Sequence, residues 1–338
     1  MSGKIVVMGG DGIGPEVVSA TVRVLECLND GLEFIHADVG MHSFEKTGEY
    51  LPGETLSAIE GADAILAGCV IDPEPTKGYR NPFDEIKKRL GLFADVREVG
   101  RVVPKKANKK VSMTVVSENP LVESTISEIE SVDGVVLERR TNYELCRRLT
   151  GFATSLAARD GHRNVTCVHH ASAYKVSDSM FRDTFMETMV GAGIDHGEIE
   201  VDRATYEIIA NPGRFDVIVT LSPYGNLLLA EASALAGGMH YVPSASLGAE
   251  KGFFEPMHGA VPALAGKDVA NPTASMLSGA MLLRHLGLGK DADALVDSLN
   301  ETVRLGLCTP DAGGITGTMD LADRVCEIIG KGCRSSSS

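Results

Sequence analysis

Short β-branched runs alternate with longer amphipathic stretches through most of the chain. The runs are KIVVM (4–8), AILAGC (64–69), VSMTVV (111–116), GVVLE (134–138), VTCVHH (165–170) and FDVIVT (215–220), with helical spacing between most of them. Parallel strands need long crossovers and helices supply them, so the alternation predicts a layered α/β fold with mostly parallel strands. Beyond position 250 the pattern turns helical. PTASMLSGAMLLRHLG (272–287) and ADALVDSLNETVRLG (292–306) both carry apolar residues at helical spacing, as core or subunit-interface helices do. The chain shows no internal repeat, and the closing GCRSSSS reads as a frayed tail.

Two stretches depart from this pattern. GGDGIGPE (9–16) lies between a strand and the helix EVVSATVRVLECL, where a turn can cradle a phosphate. A GxGxxG fingerprint starting at Gly10 needs glycine where Pro15 stands, and one starting at Gly12 needs it where Val17 stands. A phosphate cradle and a plain strand-to-helix turn both remain open. FEPMHGAVPALAGKDVANP (254–272) holds a Glu, a His, two Gly and three Pro, too irregular to be one helix or strand. Such segments are either connectors or binding loops.

Composition narrows the function classes. With 43% hydrophobic and 23% charged residues, the 338-residue chain suits a soluble protein of one large or two medium domains. No apolar run approaches the roughly 18 residues that span a bilayer, and MSGKIVVMGG lacks a signal-peptide pattern, so a cytoplasmic protein without a membrane partner is expected. A net charge of −14 opposes nucleic acid, and KKANKK (105–110) reads as a solvated loop. The cysteines at 27, 69, 146, 167, 308, 326 and 333 have no CxxC spacing and read as reduced, mostly buried fillers.

GGDGIGPE and FEPMHG…AGKDVANP, in that order, resemble the isocitrate and 3-isopropylmalate dehydrogenases, the β-decarboxylating dehydrogenase family. LGLFADVRE (90–98), VSENP (116–120), VTCVHHAS (165–172), FDVIVT (215–220) and PSASLG (243–248) extend the resemblance over about 1–330, with spacings nearest the isopropylmalate branch. It implies a non-Rossmann α/β subunit of two domains around a central mixed sheet. Segments 1–98 and 246–330 would form the large nucleotide-binding domain, 99–245 the small domain with the dimer interface, and 331–338 a disordered tail. It also implies a homodimer, or a hetero-oligomer with a family paralogue, whose active site a second subunit completes. Family members oxidise a 2-hydroxy acid with NAD or NADP and decarboxylate the product with Mg or Mn.

Carried over by position, the resemblance makes Gly12, Ile13, Glu255, His258, Leu264 and Asn271 cofactor-binding. It makes Lys87 and Arg97 anchors for a small carboxylate ligand, although Lys offers a point charge where the family has an arginine fork. Asp202 matches a metal-binding Asp contributed across the dimer. The other two metal carboxylates fall on Asn226 and Ala230, one turn apart in YGNLLLAEA (224–232), and neither supplies a charge. Glu231 points about 100° away around that helix. His170 and Ser172 stand for the family's Lys and Asn, Lys175 lies three residues further on, and Ser117 and Ser124 stand for its Arg and Tyr. His170, whose imidazole can accept a hydroxyl proton without a metal, is the candidate base. Ala263 and Leu264 follow HGxxP, and the absence of a cation there favours NAD over NADP. Three readings follow: a conventional metal-dependent dehydrogenase, a diverged oxidoreductase using His170, and a non-catalytic subunit of a hetero-oligomer.

Overall fold

The computed structural model describes residues 3–73, 79–105, 107–123 and 126–335. Among these the strands are β1 (Gly3–Gly10), β2 (Leu32–His36), β3 (Ala64–Cys69), β4 (Ala94–Val99), β5 (Met113–Glu118), β6 (Ile126–Ser131), β7 (Gly134–Arg139), β8 (Asn164–His169), β9 (Asp195–Glu200), β10 (Val217–Thr220), β11 (Pro243–Leu247) and β12 (Gly252–Pro256). The helices are α1 (Gly14–Leu28), α2 (Met41–Thr47), α3 (Gly53–Glu60), α4 (Pro82–Arg89), α5 (Pro120–Glu123), α6 (Tyr143–Asp160), α7 (Ser177–Met189), α8 (Val201–Ala210), α9 (Tyr224–Ala236), α10 (Thr273–His285), α11 (Gly289–Leu305) and α12 (Thr318–Ser335).

One ten-stranded sheet runs β2-β1-β3-β12-β11-β4-β5-β10-β8-β9, while β6 and β7 form a separate antiparallel hairpin. The two flanks are parallel, and three antiparallel pairings, β12–β11, β11–β4 and β4–β5, join them at the centre. The sheet is therefore mixed, and the expected parallel character holds only for its flanks.

Strand sequences read as unbroken apolar runs because both faces are covered. Ile5 and Val7 of β1 pack under α1 in a core that runs on along the sheet to α6, α7, α10, α11 and α12, whereas Val6 and Met8 face a second core with Ile59 of α3 and Phe83 and Ile86 of α4. In β10, Val217 and Val219 join the first core, and Ile218 joins a third beneath α8 and α9. Helix α10 is buried from Thr273 to Leu283, as its apolar sequence predicts.

Some expectations are corrected. Chain beyond 250 is not helical throughout, since β12 begins at Gly252; five residues are too few for periodicity to separate from the loop that follows. GVVLE is a strand, but of the exposed hairpin and not of the main sheet. Helix α12 continues to Ser335, through most of the expected tail; residues 336–338 lie outside the described residues, as does Lys106 of KKANKK. Cys69, Cys146 and Cys167 are buried as expected, whereas Cys27 is exposed and Cys308 and Cys326 are half-buried.

The loop 9–14 is seated by backbone-to-backbone contact. A Cβ on Gly14 would stand 2.2 Å from the Gly9 carbonyl oxygen, one on Gly68 would meet the same atom at 2.2 Å, and one on Gly12 (φ +59°) would lie 2.0 Å from the Ala260 oxygen. Only glycine permits this approach. Asp11, 5% exposed, completes the seat. Its carboxylate accepts from the backbone N–H of Met41 (3.1 Å), His42 (3.1 Å) and Ile71 (2.9 Å), tying the loops after β1, β2 and β3 together. Asp11→Ala leaves three donors without their acceptor, and equilibrium urea unfolding is expected to show a loss of about 3 kcal/mol, with a smaller loss for Asp11→Asn.

Candidate active site

The antiparallel centre of the sheet carries a polar patch. Strand register sets Glu255 of β12 opposite Ser244 of β11 and Ser244 opposite Arg97 of β4; the next row sets Ser246, Asp95 and Ser117 side by side. Side chains two apart on a strand share a face, so all six emerge together. Lys87 reaches the patch from α4, whose start is capped by Asn81 accepting from the N–H groups of Phe83 (2.9 Å) and Asp84 (3.3 Å).

Two ion pairs organise the patch. Lys87 Nζ donates to Glu255 Oε1 at 2.5 Å, with side chains 12% and 17% exposed. Arg97 Nη2 donates to Asp95 Oδ2 at 3.1 Å and Nη1 to Ser117 Oγ at 3.2 Å, while Asp95 Oδ1 accepts from Ser246 Oγ at 2.6 Å. Burial works against the Lys87 charge, but Glu255, Asp95 and Asp84 outweigh it and raise its pKa above the ordinary 10.5. Asp84 is raised, chiefly by burial. Arg97 Nε is buried with no partner among the described residues.

Lys87, Arg97, Glu255 and Asp84 line a cleft of about 380 Å³ with Cys69, Asn81, Asn226 and His258. His258 Nδ1 lies 3.1 Å from the Gly259 oxygen and 3.6 Å from Cys69 Sγ, and its Nε2 is buried without a partner among the described residues. Burial lowers the His258 pKa and pushes the Cys69 thiol up to about 12, so both are neutral near pH 7. Cys69 is a thiol here, not a nucleophilic thiolate.

From His258 the wall continues into the first loop. Ile13 N–H donates to the Ala260 oxygen at 2.7 Å, and Ile13 packs with Val17, Ala270 and Leu264. Asn271 is 3% exposed; its Oδ1 accepts from Thr273 N–H at the head of α10, and its own N–H donates to Asp311 Oδ2. Gly12, Ile13, Leu264 and Asn271 thus form one surface beside the cleft. The unpartnered Nε2 of His258 leaves a hydrogen-bonding group there for a ligand, while Gly12 is spent on its approach to Ala260.

Of the remaining sequence candidates, Asn226 lines the cleft and the others lie elsewhere. His170 does not line the cleft; its N–H donates to Asp178 Oδ2 at 2.8 Å, and its ring sits edge-on to Tyr174 and Tyr224. Asp202 is exposed on α8, with Oδ1 accepting from Arg203 N–H. Asn226 and Ala230 share the exposed face of α9, whereas Glu231 turns inward; burial raises its pKa and leaves Oε2 without a partner among the described residues. Ser172 is held by Glu200 through both N–H and Oγ, and Ser124 lies outside the described residues. Among the described residues no three of His, Cys, Asp and Glu converge as a metal-ligand set.

Sequence reasoning missed Asp95, Ser246 and a second buried pair. Arg139 Nη2 donates to the fully buried Asp178 at 2.7 Å and Nη1 to the Tyr224 hydroxyl at 3.0 Å, and this fixes the backbone at His170. Asp95 was findable, two residues before Arg97 in one strand. Arg139 and Tyr224 lie 85 residues apart, and no spacing rule joins them.

A family model described as isocitrate/isopropylmalate dehydrogenase matches residues 4–325. The chain belongs to the isocitrate/isopropylmalate dehydrogenase family. It is 36% identical to the 3-isopropylmalate dehydrogenase of Methanothermobacter thermautotrophicus over 96% of this chain and 98% of that one. It is 33% identical to the homoisocitrate dehydrogenase of Methanocaldococcus jannaschii over 97% and 98%. The crystal structure of isocitrate dehydrogenase from Methylococcus capsulatus superposes with a TM-score of 0.89 at 29% identity, covering 97% of this chain and 99% of that one. Dehydrogenases of this family use NAD(P) and a divalent metal.

Lys87→Met leaves Glu255 charged and nearly buried, and is expected to cost about 3 kcal/mol. Because the folded pKa of Lys87 lies above its unfolded value, the pair's contribution is fully present below about pH 10.5 and is lost as pH rises through the folded value. In denaturation curves at stepped pH, the gap between wild type and Lys87→Met should hold from pH 7 to 10 and shrink above that.

Proposed function

We propose that the chain is an NAD-linked oxidoreductase acting on a small 2-hydroxy acid, with the cleft between Lys87 and Arg97 as its substrate site. The observation that carries the reading is the convergence of Lys87, Arg97, Glu255 and His258 in one cleft, continuous with the wall formed by Gly12, Ile13, Leu264 and Asn271. Arg97 and Lys87 hold the substrate carboxylate, with Asp95 and Glu255 fixing their positions. Bound NAD would take the hydride from the carbinol carbon. Ala263 and Leu264 offer no cation for a 2'-phosphate, and Glu16 lies nearby in the field of Asp268 and Asp311, which favours NAD over NADP.

The residues do not fit the family's metal site. The positions carried over for two of its carboxylates hold Asn226 and Ala230, so no step here depends on Mg or Mn. The hydroxyl proton goes to His170 of a second copy, since His170 stands outside the cleft of its own chain. That requires a dimer. Tyr206 and Ile209 of α8 and Leu227 of α9 are exposed together, and the β6–β7 hairpin exposes Val135 and Leu137. These faces are proposed as the homodimer interface, in a cytoplasmic protein with the two-domain division expected from its sequence.

A second reading, a non-catalytic subunit paired with a complete paralogue, draws on Ser117. Its hydroxyl occupies Arg97 where the family places another arginine. NADH titration followed by nicotinamide fluorescence and melting temperature separates the two. Micromolar binding with a ligand-dependent rise in Tm, and 340 nm turnover abolished by His170→Ala in a folded variant, are expected. No binding of NADH or NADPH would sink the enzyme reading for the isolated chain. Light scattering should give twice the chain mass, and Leu227→Asp should shift it to the monomer.

A further inference from the structure

Helices α1 and α12 lie side by side on the outer layer, and their register brings two cysteines together. Arg23 Nε pairs with Asp323 Oδ1 at 3.2 Å. One turn further along each helix stand Cys27 and Cys326. Cys326 Sγ approaches the Arg23 carbonyl oxygen to 3.7 Å. In an α-helix that oxygen accepts from the N–H four residues on, which is that of Cys27, so the Cys326 sulfur sits against the turn that carries Cys27. The two thiols meet side chain to side chain, and the Arg23 guanidinium lies in the field of both.

We propose that Cys27 and Cys326 form an oxidation site at which a peroxide or a small-molecule disulfide closes a disulfide between α1 and α12. Exposure sets the order of events. Cys27 is open to solvent, while Cys326 is half-buried. Burial, and then the contact with Cys27, push the Cys326 thiol up to about 12, so Cys326 stays protonated and Cys27 is the sulfur that meets the oxidant. With hydrogen peroxide, the Cys27 sulfur takes one oxygen as the O–O bond breaks, giving a sulfenic acid and one water. The Cys326 sulfur then attacks that sulfur; the S–S bond forms, the S–O bond breaks, and the hydroxyl leaves with the Cys326 proton as a second water. Two thiols lose two electrons and two hydrogens, and one peroxide becomes two waters.

The bond would join helices that both begin at the proposed cofactor wall. Helix α1 starts from the 9–14 loop. At the head of α12, Thr318 Oγ1 donates to the Ala270 oxygen at 2.7 Å and Met319 N–H donates to Asp268 Oδ1 at 3.1 Å. A link across about 300 residues of chain restricts the unfolded state strongly, so the oxidised protein melts several degrees higher.

Tryptic mapping tests the site directly, because peptides 24–46 and 325–331 carry Cys27 and Cys326 as their sole cysteines. Full-length protein is treated with hydrogen peroxide or oxidised glutathione, alkylated without reduction and digested. The expected result is a cross-linked pair two hydrogens lighter than its parts, a fall in titratable thiols from seven to five, and a Tm increase that dithiothreitol reverses. Cys27→Ser and Cys326→Ser should each remove all three effects while leaving far-UV circular dichroism unchanged. The proposal is overturned by a cross-link to any other cysteine, by one between chains, or by oxidation that halts at Cys27 as a sulfinic acid or mixed disulfide. The wild-type mapping decides this without the variants.

Discussion

A carboxylate shut away from water must find its hydrogen bonds in the protein, and Asp11 finds three in the backbones of two other loops. That one side chain joins the ends of β1, β2 and β3 while glycines at 9, 12, 14 and 68 let the backbones meet without side chains between them. The start of α1 is thereby fixed over the sheet, and Ile13 is delivered to the Ala260 carbonyl. Gly12 and Ile13 of the proposed nucleotide surface are built on that seat. Its role needs no phosphate to explain the glycines, and it leaves the loop's outer face free to meet one.

Charge at the centre of the sheet follows a second constraint. Lys87 and Arg97 are nearly buried, and each is matched by a carboxylate, Glu255 and Asp95. Buried ions persist only when paired and hydrogen-bonded. The antiparallel pairings make this possible by setting β12, β11, β4 and β5 in register, so that polar residues from four strands emerge as one patch. Parallel flanks supply the apolar scaffold, and the antiparallel centre supplies the site.

Family membership and residue chemistry pull in different directions at this site. Relatives that match over almost the whole chain are dehydrogenases, and the fold superposes closely on one of them. Yet Asn226, Ala230 and Ser117 remove charges from the positions carried over for metal and substrate, and Ser117 fills its place by bonding Arg97. Fold alone does not fix activity. The cleft that gathers Lys87, Arg97, Glu255 and His258 is what makes an oxidoreductase the favoured reading.

Periodicity was enough to place the apolar strands and the long helices, because burial on both faces writes β1, β3 and β10 as continuous apolar runs and α10 as an apolar helix. Motif spacing was enough to reach the family, since GGDGIGPE and FEPMHG…AGKDVANP survive as local stretches. β12 was hidden, being too short to show a period beside an irregular loop. So was the pairing of Lys87 with Glu255, 168 residues apart. The contact of Cys27 with Cys326 depends on the crossing of two helices from opposite ends of the chain. Sequence by itself determined which residues could be charged, apolar or glycine and which segments could be helix or strand, because those are local properties of side chain and backbone. Which charges meet, which carboxylate holds three loops and which thiols face each other was decided by tertiary structure, because distance between remote residues exists only once the sheet has set its register.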